Sequence, residues 1–173
     1  MNATYFIISK PSVYNQIMKI LGIDPGTGRV GWGIVSHEKG VDTFVECGCF
    51  ETKTNSELPQ RLLKIHDFLQ NLIKVHQPEA LAVESLFFEK NAKTAIDVAA
   101  ARGVILLAGE QAHIPVFQYT PLQVKSSLTG YGKAEKSQVE FMVGKILHLK
   151  EKIKPDDAAD AVAIALTHAF RVR

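Results

Sequence analysis

An apolar segment typical of a β-strand ends abruptly in an acid and a Pro-Gly turn at Ile20-Leu21-Gly22-Ile23-Asp24-Pro25-Gly26. A second apolar segment also ends in a carboxylate, at Ala80-Leu81-Ala82-Val83-Glu84. A helix that crosses over between them would make the two strands parallel, and neighbouring strands lie about 4.8 Å apart. We therefore expect Asp24 and Glu84 at one edge of a sheet, the edge where active sites of α/β proteins gather.

Hydrophobic periodicity along the rest of the chain places these two strands in a mixed sheet. It predicts strands at about 19–24, 30–37, 42–52, 78–84 and 116–119, and helices at about 56–76, 90–112, 121–128, 135–148 and 157–170. Short loops join the first three strands, which should therefore be antiparallel neighbours. The predicted fold class is α/β, with a five-stranded mixed sheet flanked by helices on both faces.

The composition is consistent with one domain that holds a proper core. The chain has 173 residues, of which 46% are apolar, and this suits a single compact unit. Because Met18 looks like a natural start, we interpret residues 1–17 as a loose N-terminal extension or the result of a misplaced start codon. Residues 18–173 then form the domain.

Cysteine content, hydropathy and charge bear on location and partners. Cys47 and Cys49 are the only cysteines, too few for a zinc site or a disulfide framework, which favours a reduced, cytoplasmic environment. No apolar run approaches the ~20 residues of a membrane span, so we expect no membrane partner. Net charge is only +2, and its positive excess lies within residues 85–154. Such a segment suits a polyanion, but solvated helix faces give the same pattern, and both interpretations stay open.

Two further acids open the last predicted helix. Asp157 and Asp160 are three residues apart, so they project from one side of that helix, the side whose later residues are apolar. Helix capping is the competing explanation, since acids stabilise a helix N-terminus by ~0.3–1 kcal/mol. We favour capping for Asp156. We favour metal binding for Asp24, Glu84, Asp157 and Asp160, because a set of carboxylates suits hard cations such as Mg²⁺ or Mn²⁺.

Short motifs in order along the chain resemble those of one nuclease family. They are Leu21-Gly22-Ile23-Asp24-Pro25-Gly26-Thr27, Gly31-Trp32-Gly33, Val83-Glu84-Ser85-Leu86-Phe87, Ala101-Arg102-Gly103-Val104, Gln123-Val124-Lys125, Ala134-Glu135-Lys136-Ser137-Gln138-Val139 and Asp157-Ala158-Ala159-Asp160-Ala161. They are similar to those of the RuvC family of Holliday junction resolvases, the crossover junction endodeoxyribonucleases, and the similarity runs from about residue 18 to 168. It implies an RNase H-like fold, a homodimer, and magnesium-dependent, paired nicking of four-way DNA junctions alongside the RuvA and RuvB branch-migration proteins.

The resemblance also assigns roles to single residues. By position, the catalytic acids of the family match Asp24, Glu84, Asp157 and Asp160. Phe87 looks like an aromatic that stacks on an unpaired base, an interaction worth ~1–3 kcal/mol, although two adjacent aromatics are more often core residues. Lys125 and Lys136 match basic positions and could hold backbone phosphates, while simple solvation is the other explanation.

Phosphodiester hydrolysis fits the four acids independently of the family name. Carboxylates that arrive from separate elements could hold two cations about 3.5–4 Å apart, one to activate water and one to steady the departing 3′ oxygen. Asp24, on the strand expected at the centre of the sheet, is the natural bridge between them.

The helix predicted over residues 90–112 is apolar almost all round. A helix on a sheet needs only one apolar face, so the surplus indicates a second contact. A two-fold copy of the chain is the favoured explanation, and burial under another helix of the same chain is the alternative.

Two other functions compete with the resolvase hypothesis. The glycine-rich residues 22–28 also resemble the phosphate-binding turn of sugar kinases, actin and Hsp70-type ATPases, which would make the chain a nucleotide-binding module. Those proteins need two lobes, which 173 residues do not provide. A related family trims ribosomal RNA precursors, but its chains are shorter and lack a counterpart to the lysines within 125–136.

Overall fold

The structure is a computed structural model that describes residues 17–53, 55–85 and 92–172. Its elements in that part of the chain are β1 (Met18–Asp24), β2 (Arg29–Glu38), β3 (Val41–Glu51), α1 (Leu58–His76), β4 (Ala80–Glu84), α2 (Ala92–Gln111), β5 (Val116–Tyr119), α3 (Pro121–Thr129), α4 (Lys136–Ile146) and α5 (Asp156–Arg171). Every predicted strand and helix is present, with ends within two residues of the prediction. The predicted extension, residues 1–17, lies outside the described residues except for Ile17 and stays a prediction.

The sheet has the strand order β3-β2-β1-β4-β5, so β1 lies at its centre. β1, β2 and β3 are antiparallel neighbours, whereas β4 is parallel to β1 and β5 is parallel to β4. A tight turn joins β2 to β3, where Lys39 and Gly40 have φ angles of 50° and 82°. Two successive positive φ angles are the pattern of a type I′ turn, whose twist matches that of the strands. The predicted fold class and strand arrangement are confirmed.

Helices cover both faces of the sheet and create two hydrophobic cores. On one face α1 and α2 pack through buried residues that include Ile65, Leu69, Ala101, Ile105 and Ala108. On the other face α3, α4 and α5 pack through Val124, Leu128, Val139, Val143 and residues 162–166. None of the helices within the described ranges combines the length and hydropathy that a membrane span requires.

Candidate active site

Asp24 and Glu84 end two neighbouring parallel strands at the same edge of the sheet. Ile23 on β1 lies opposite Val83 on β4, so the next residues along the two strands are the two acids. Side chains alternate between the faces of a strand, and Gly22 faces α5, so Asp24 faces α5 as well. The same alternation places Glu84 on that face. The predicted meeting of these acids at one edge follows directly from the parallel register.

Glycines allow α5 to lie directly on the sheet. A Cβ atom on Gly22 would lie 2.1 Å from the carbonyl oxygen of Ala161, and one on Gly31 would lie 2.0 Å from that of Asp157. Neither position has room for a side chain unless the helix moves. Because Gly31 is also paired with Asp24 across β1 and β2, the first turn of α5 is held beside the end of β1. Close backbone packing thus decides where the α5 acids lie.

Burial and mutual repulsion perturb the acids at this edge. Burial, followed by the charges of Asp160 and Asp157, raises the pKa of Asp24 from 3.8 to about 7. Burial, followed by the charges of Asp24 and Asp160, raises the pKa of Glu84 from 4.5 to about 7. The pKa of Asp160 is also raised, mainly by burial. Acids from β1, β4 and α5 therefore interact electrostatically as one coupled set.

Two basic side chains form ion pairs with the acids at the start of α5. Lys136, the first residue of α4, places Nζ 2.8 Å from Oδ2 of Asp160 and 3.5 Å from Oδ2 of Asp156. Arg29, at the start of β2, places Nη2 3.2 Å from Oδ2 of Asp157. Each α5 acid that was predicted to bind metal is thus paired with a basic side chain.

The carboxylate donors suit a hard divalent cation, but their arrangement is not a ready-made coordination shell. Within the described residues, no three Asp, Glu, His or Cys side chains are gathered so that they could hold a metal ion. The pairing of Asp157 with Arg29 and of Asp160 with Lys136 gives a physical reason, since each cation draws one carboxylate to itself. The oxygen-only chemistry of the four acids still matches Mg²⁺ or Mn²⁺.

The remaining predicted site residues have separate outcomes. The positive charge of Lys125 counteracts the rise in the pKa of Glu84, which puts this lysine near the acids. Phe87 lies within residues 86–91, outside the described part of the chain, so its role stays a prediction. Asp156 makes no capping hydrogen bond at α5, where Pro155 is the N-cap residue. Its carboxylate pairs with Lys136 instead.

Sequence reasoning missed Arg29 as a site residue. A basic residue at the start of a strand is ordinary surface chemistry, and nothing in the local pattern marks this one. The glycines of β2 offered a better signal. Gly31 and Gly33 occupy alternate positions on one face of the strand, which indicates that another backbone approaches that face closely.

Comparisons with known proteins show the family of this chain. The family model described as Crossover junction endodeoxyribonuclease RuvC matches residues 20–168. The protein of that name from Fusobacterium nucleatum is 51% identical over 151 residues, which cover 87% of this chain and 80% of the relative.

Solved structures give the same family. Thermus thermophilus RuvC superposes with a TM-score of 0.83 at 40% identity, over 88% of this chain and 94% of that one. The T. thermophilus protein in complex with a Holliday junction substrate gives 0.80 at 37% identity, with the same coverage. The chain described here belongs to the RuvC family of crossover junction endodeoxyribonucleases.

Proposed function

We propose that this chain is a structure-specific endodeoxyribonuclease that resolves four-way (Holliday) DNA junctions. The observation that carries this is the coupled set of acids from β1, β4 and α5, in which two carboxyls have pKa values raised to about 7. The burial and mutual repulsion of these acids are destabilising, and binding of divalent cations would relieve them. The T. thermophilus relative solved with a Holliday junction supports the choice of substrate.

We assign Asp24, Glu84, Asp157 and Asp160 as the ligands of two Mg²⁺ ions, for which Mn²⁺ can substitute. Ions bound there would activate a water and neutralise the charge that develops on the leaving 3′ oxygen. Asp24 would contribute to both positions, because it ends the central strand and the charges of Asp157 and Asp160 raise its pKa. Glu84 contributes from the neighbouring strand.

Lysines at the edge of the site suit the phosphates of the substrate. Lys136 forms an ion pair with Asp160. A DNA phosphate would compete with Asp160 for the lysine, and a metal ion would compete with the lysine for Asp160. Lys125 lies close enough to affect the pKa of Glu84. We propose that both hold the DNA backbone next to the cleaved bond, and that Phe87 stacks on an unpaired base.

We propose that the chain acts as a homodimer through α2. Ile96, Gly103 and Leu107 follow the seven- and four-residue spacing of one helix face. Ile96 and Leu107 are 74% and 52% exposed, and a side chain at Gly103 would meet nothing within 4 Å. The opposite face of α2 packs on the sheet. A second copy of α2 would cover this apolar stripe, and a symmetric junction needs two matched nicks.

The proposed role places the protein in recombination and DNA repair, alongside RuvA and RuvB as the family resemblance implies. We propose a cytoplasmic location, where Cys47 and Cys49 stay as the free thiols seen in the structure.

Substrate choice tests the proposal directly. A synthetic four-way junction, a linear duplex of the same sequence and an RNA hairpin would each be incubated with the protein, with and without Mg²⁺. We expect paired, symmetric cuts in the junction alone, and only with Mg²⁺. Equal cleavage of duplex or RNA, or cleavage that withstands a chelator, would contradict the proposal. Calorimetry with ATP in place of DNA tests the nucleotide-binding alternative, and we expect no binding.

A further inference from the structure

We propose that Arg29 is a positioning residue that competes with divalent cations for Asp157, and so sets how tightly the DNA-free protein binds metal. This inference rests on the proposed role of Asp157 as a metal ligand. Arg29 belongs to β2, and among the proposed ligands it forms an ion pair with Asp157.

The geometry places Arg29 between two acids. Its Nη2 atom lies 3.2 Å from Oδ2 of Asp157, and its Nε atom lies 3.4 Å from Oε1 of Glu51. Glu51 is the residue opposite Arg29 in the β2–β3 register, so the second contact is built into the sheet. Sγ of Cys49 lies 3.9 Å from the same Oδ2 atom of Asp157. One oxygen of this carboxylate is therefore already engaged from the β2–β3 side.

The backbone of Asp157 cannot move closer to β2. Its carbonyl oxygen would lie 2.0 Å from a Cβ atom at Gly31, so the start of α5 is in direct contact with β2. Exchange of Arg29 for a metal ion on Asp157 therefore requires rotation of one or both of these side chains. Such a rotation is available, because the side chain of Asp157 is 31% exposed and that of Arg29 is 48% exposed.

Charge gives the expected direction. A guanidinium stays protonated at every working pH, so Arg29 both occupies the carboxylate and repels an incoming divalent cation. Removal of that charge should tighten metal binding. Glu51 works against Arg29, because it attracts the same guanidinium away from Asp157. Removal of Glu51 should therefore leave Arg29 more firmly on Asp157 and weaken metal binding.

The opposition between Arg29 and Glu51 can be tested by titration of the full chain with Mn²⁺ in the absence of DNA. Loss of the EPR signal of free Mn²⁺ measures the binding. We expect Arg29→Gln to tighten Mn²⁺ binding by about 2- to 5-fold, the factor that corresponds to one exposed ion pair. Arg29→Lys keeps the charge and should bind Mn²⁺ like the wild type. Glu51→Gln should weaken binding by about 2-fold on the same scale. In the Arg29→Gln background, Glu51→Gln should lose most of that effect, since its target is gone.

The outcomes separate this inference from the proposed function. Unchanged or weaker Mn²⁺ binding by Arg29→Gln, in a protein that still binds Mn²⁺ and cuts junctions, overturns the inference alone. An equal effect of Glu51→Gln in both backgrounds also overturns it, because Glu51 would then act independently of Arg29. Absence of Mn²⁺ binding in the wild type overturns the metal site and this inference with it. A merely structural role of Arg29 would instead lower the thermal unfolding midpoint of Arg29→Gln and leave Mn²⁺ affinity unchanged.

Discussion

Ionisation of the buried Asp24 carboxyl lowers the free energy of unfolding at neutral and alkaline pH. Its pKa is about 7 in the folded protein against 3.8 ordinarily, so the folded chain binds the proton more tightly than the unfolded chain does. The stability from this group is therefore fully present below pH 3.8 and is lost as pH rises through 7. Glu84 behaves in the same way, with a pKa raised from 4.5 to about 7. Functional sites commonly retain such costs.

Asp24→Asn should consequently separate stability from activity. The amide cannot ionise, so we expect the free energy of unfolding at pH 8 to rise by about 1–3 kcal/mol. Junction cleavage should be abolished, because the proposed metal bridge is lost, while junction binding stays near the wild-type level. Urea unfolding at pH 8, a cleavage assay and a gel-shift assay measure the three quantities. Glu110→Gln, an exposed acid on α2, is the control and should change none of them. Near-normal cleavage by Asp24→Asn would contradict the catalytic assignment.

Burial lowers the pKa of His168, whereas it raises the pKa values of Asp24 and Glu84. His168 is buried on α5, its Nδ1 atom lies 2.7 Å from the hydroxyl of Tyr119, and burial lowers its pKa to about 4. The folded protein therefore favours the neutral ring, and the stability that this provides above pH 6.5 is lost as pH falls towards 4. In an NMR titration of the histidine rings, we expect His168 to stay neutral at pH 5.5. His66 donates a hydrogen bond to Oε1 of Gln111, which raises its pKa, so it should be protonated there and is the internal reference. A midpoint near 6.5 for His168 would contradict its buried, neutral state.

Helix α5 owes its position to glycines of the sheet, so a single methyl group should displace it. Gly22→Ala would place a Cβ atom 2.1 Å from the carbonyl oxygen of Ala161 and 2.7 Å from the amide nitrogen of Ala165. Both atoms belong to the helix backbone and cannot rotate away. We expect a loss of about 3 kcal/mol in the free energy of unfolding, at the upper end for overpacked sites. Mn²⁺ binding should also weaken, because the α5 acids move with the helix.

Gly144 is the matched control for that substitution. It lies inside α4, and a Cβ atom there would meet nothing within 4 Å. Gly144→Ala should therefore raise the free energy of unfolding by about 0.5–1 kcal/mol, the usual advantage of alanine in a helix. Chemical denaturation of the two variants measures both effects. If Gly22→Ala were as stable as the wild type, direct packing of α5 on the sheet would not be what positions the acids.

The elements and the positions of the four acids were accessible from sequence, whereas the partners of those acids were not. Asp24 and Glu84 could be placed at one edge from sequence because each strand is recognisable from the pattern of neighbouring residues. The parallel crossover between the two strands then follows from general strand geometry. The pairing of Asp157 with Arg29 depends on the helix–sheet contact made through Gly31. Such contacts join residues far apart in the chain, and a local pattern does not contain them.

Two lysines of the basic segment lie beside the acidic site. The excess of basic residues lies within 85–154, the segment that supplies Lys125 and Lys136 to the acids. An arrangement of this kind would draw the DNA backbone to the site while metal ions neutralise the acids. We therefore expect the salt dependence of junction binding to come from the particular lysines that contact DNA phosphates rather than from the net charge of the protein.

Lys125→Gln should make junction binding less sensitive to salt. Loss of one phosphate contact reduces the slope of log K against log salt concentration by about 1. Fluorescence anisotropy over a series of salt concentrations measures that slope. Lys64→Gln changes an exposed lysine on α1, on the opposite face of the sheet, and should leave the slope unchanged. Equal slopes for Lys125→Gln and the wild type would show that Lys125 is simply solvated.

The proposed dimer would form through the stripe of α2 that faces away from the sheet. Leu107 is 52% exposed, and Gly103 one turn earlier would let a second helix approach closely. Leu107→Glu would place a charge in that contact, and we expect it to convert the dimer to a monomer in sedimentation velocity at micromolar concentration. Each monomer would keep its acids, so nicks should become single and uncoupled. Leu63→Glu changes a 61% exposed leucine on α1 and should leave the dimer intact. A wild-type monomer at this concentration, or a dimer of Leu107→Glu, would contradict assembly through α2.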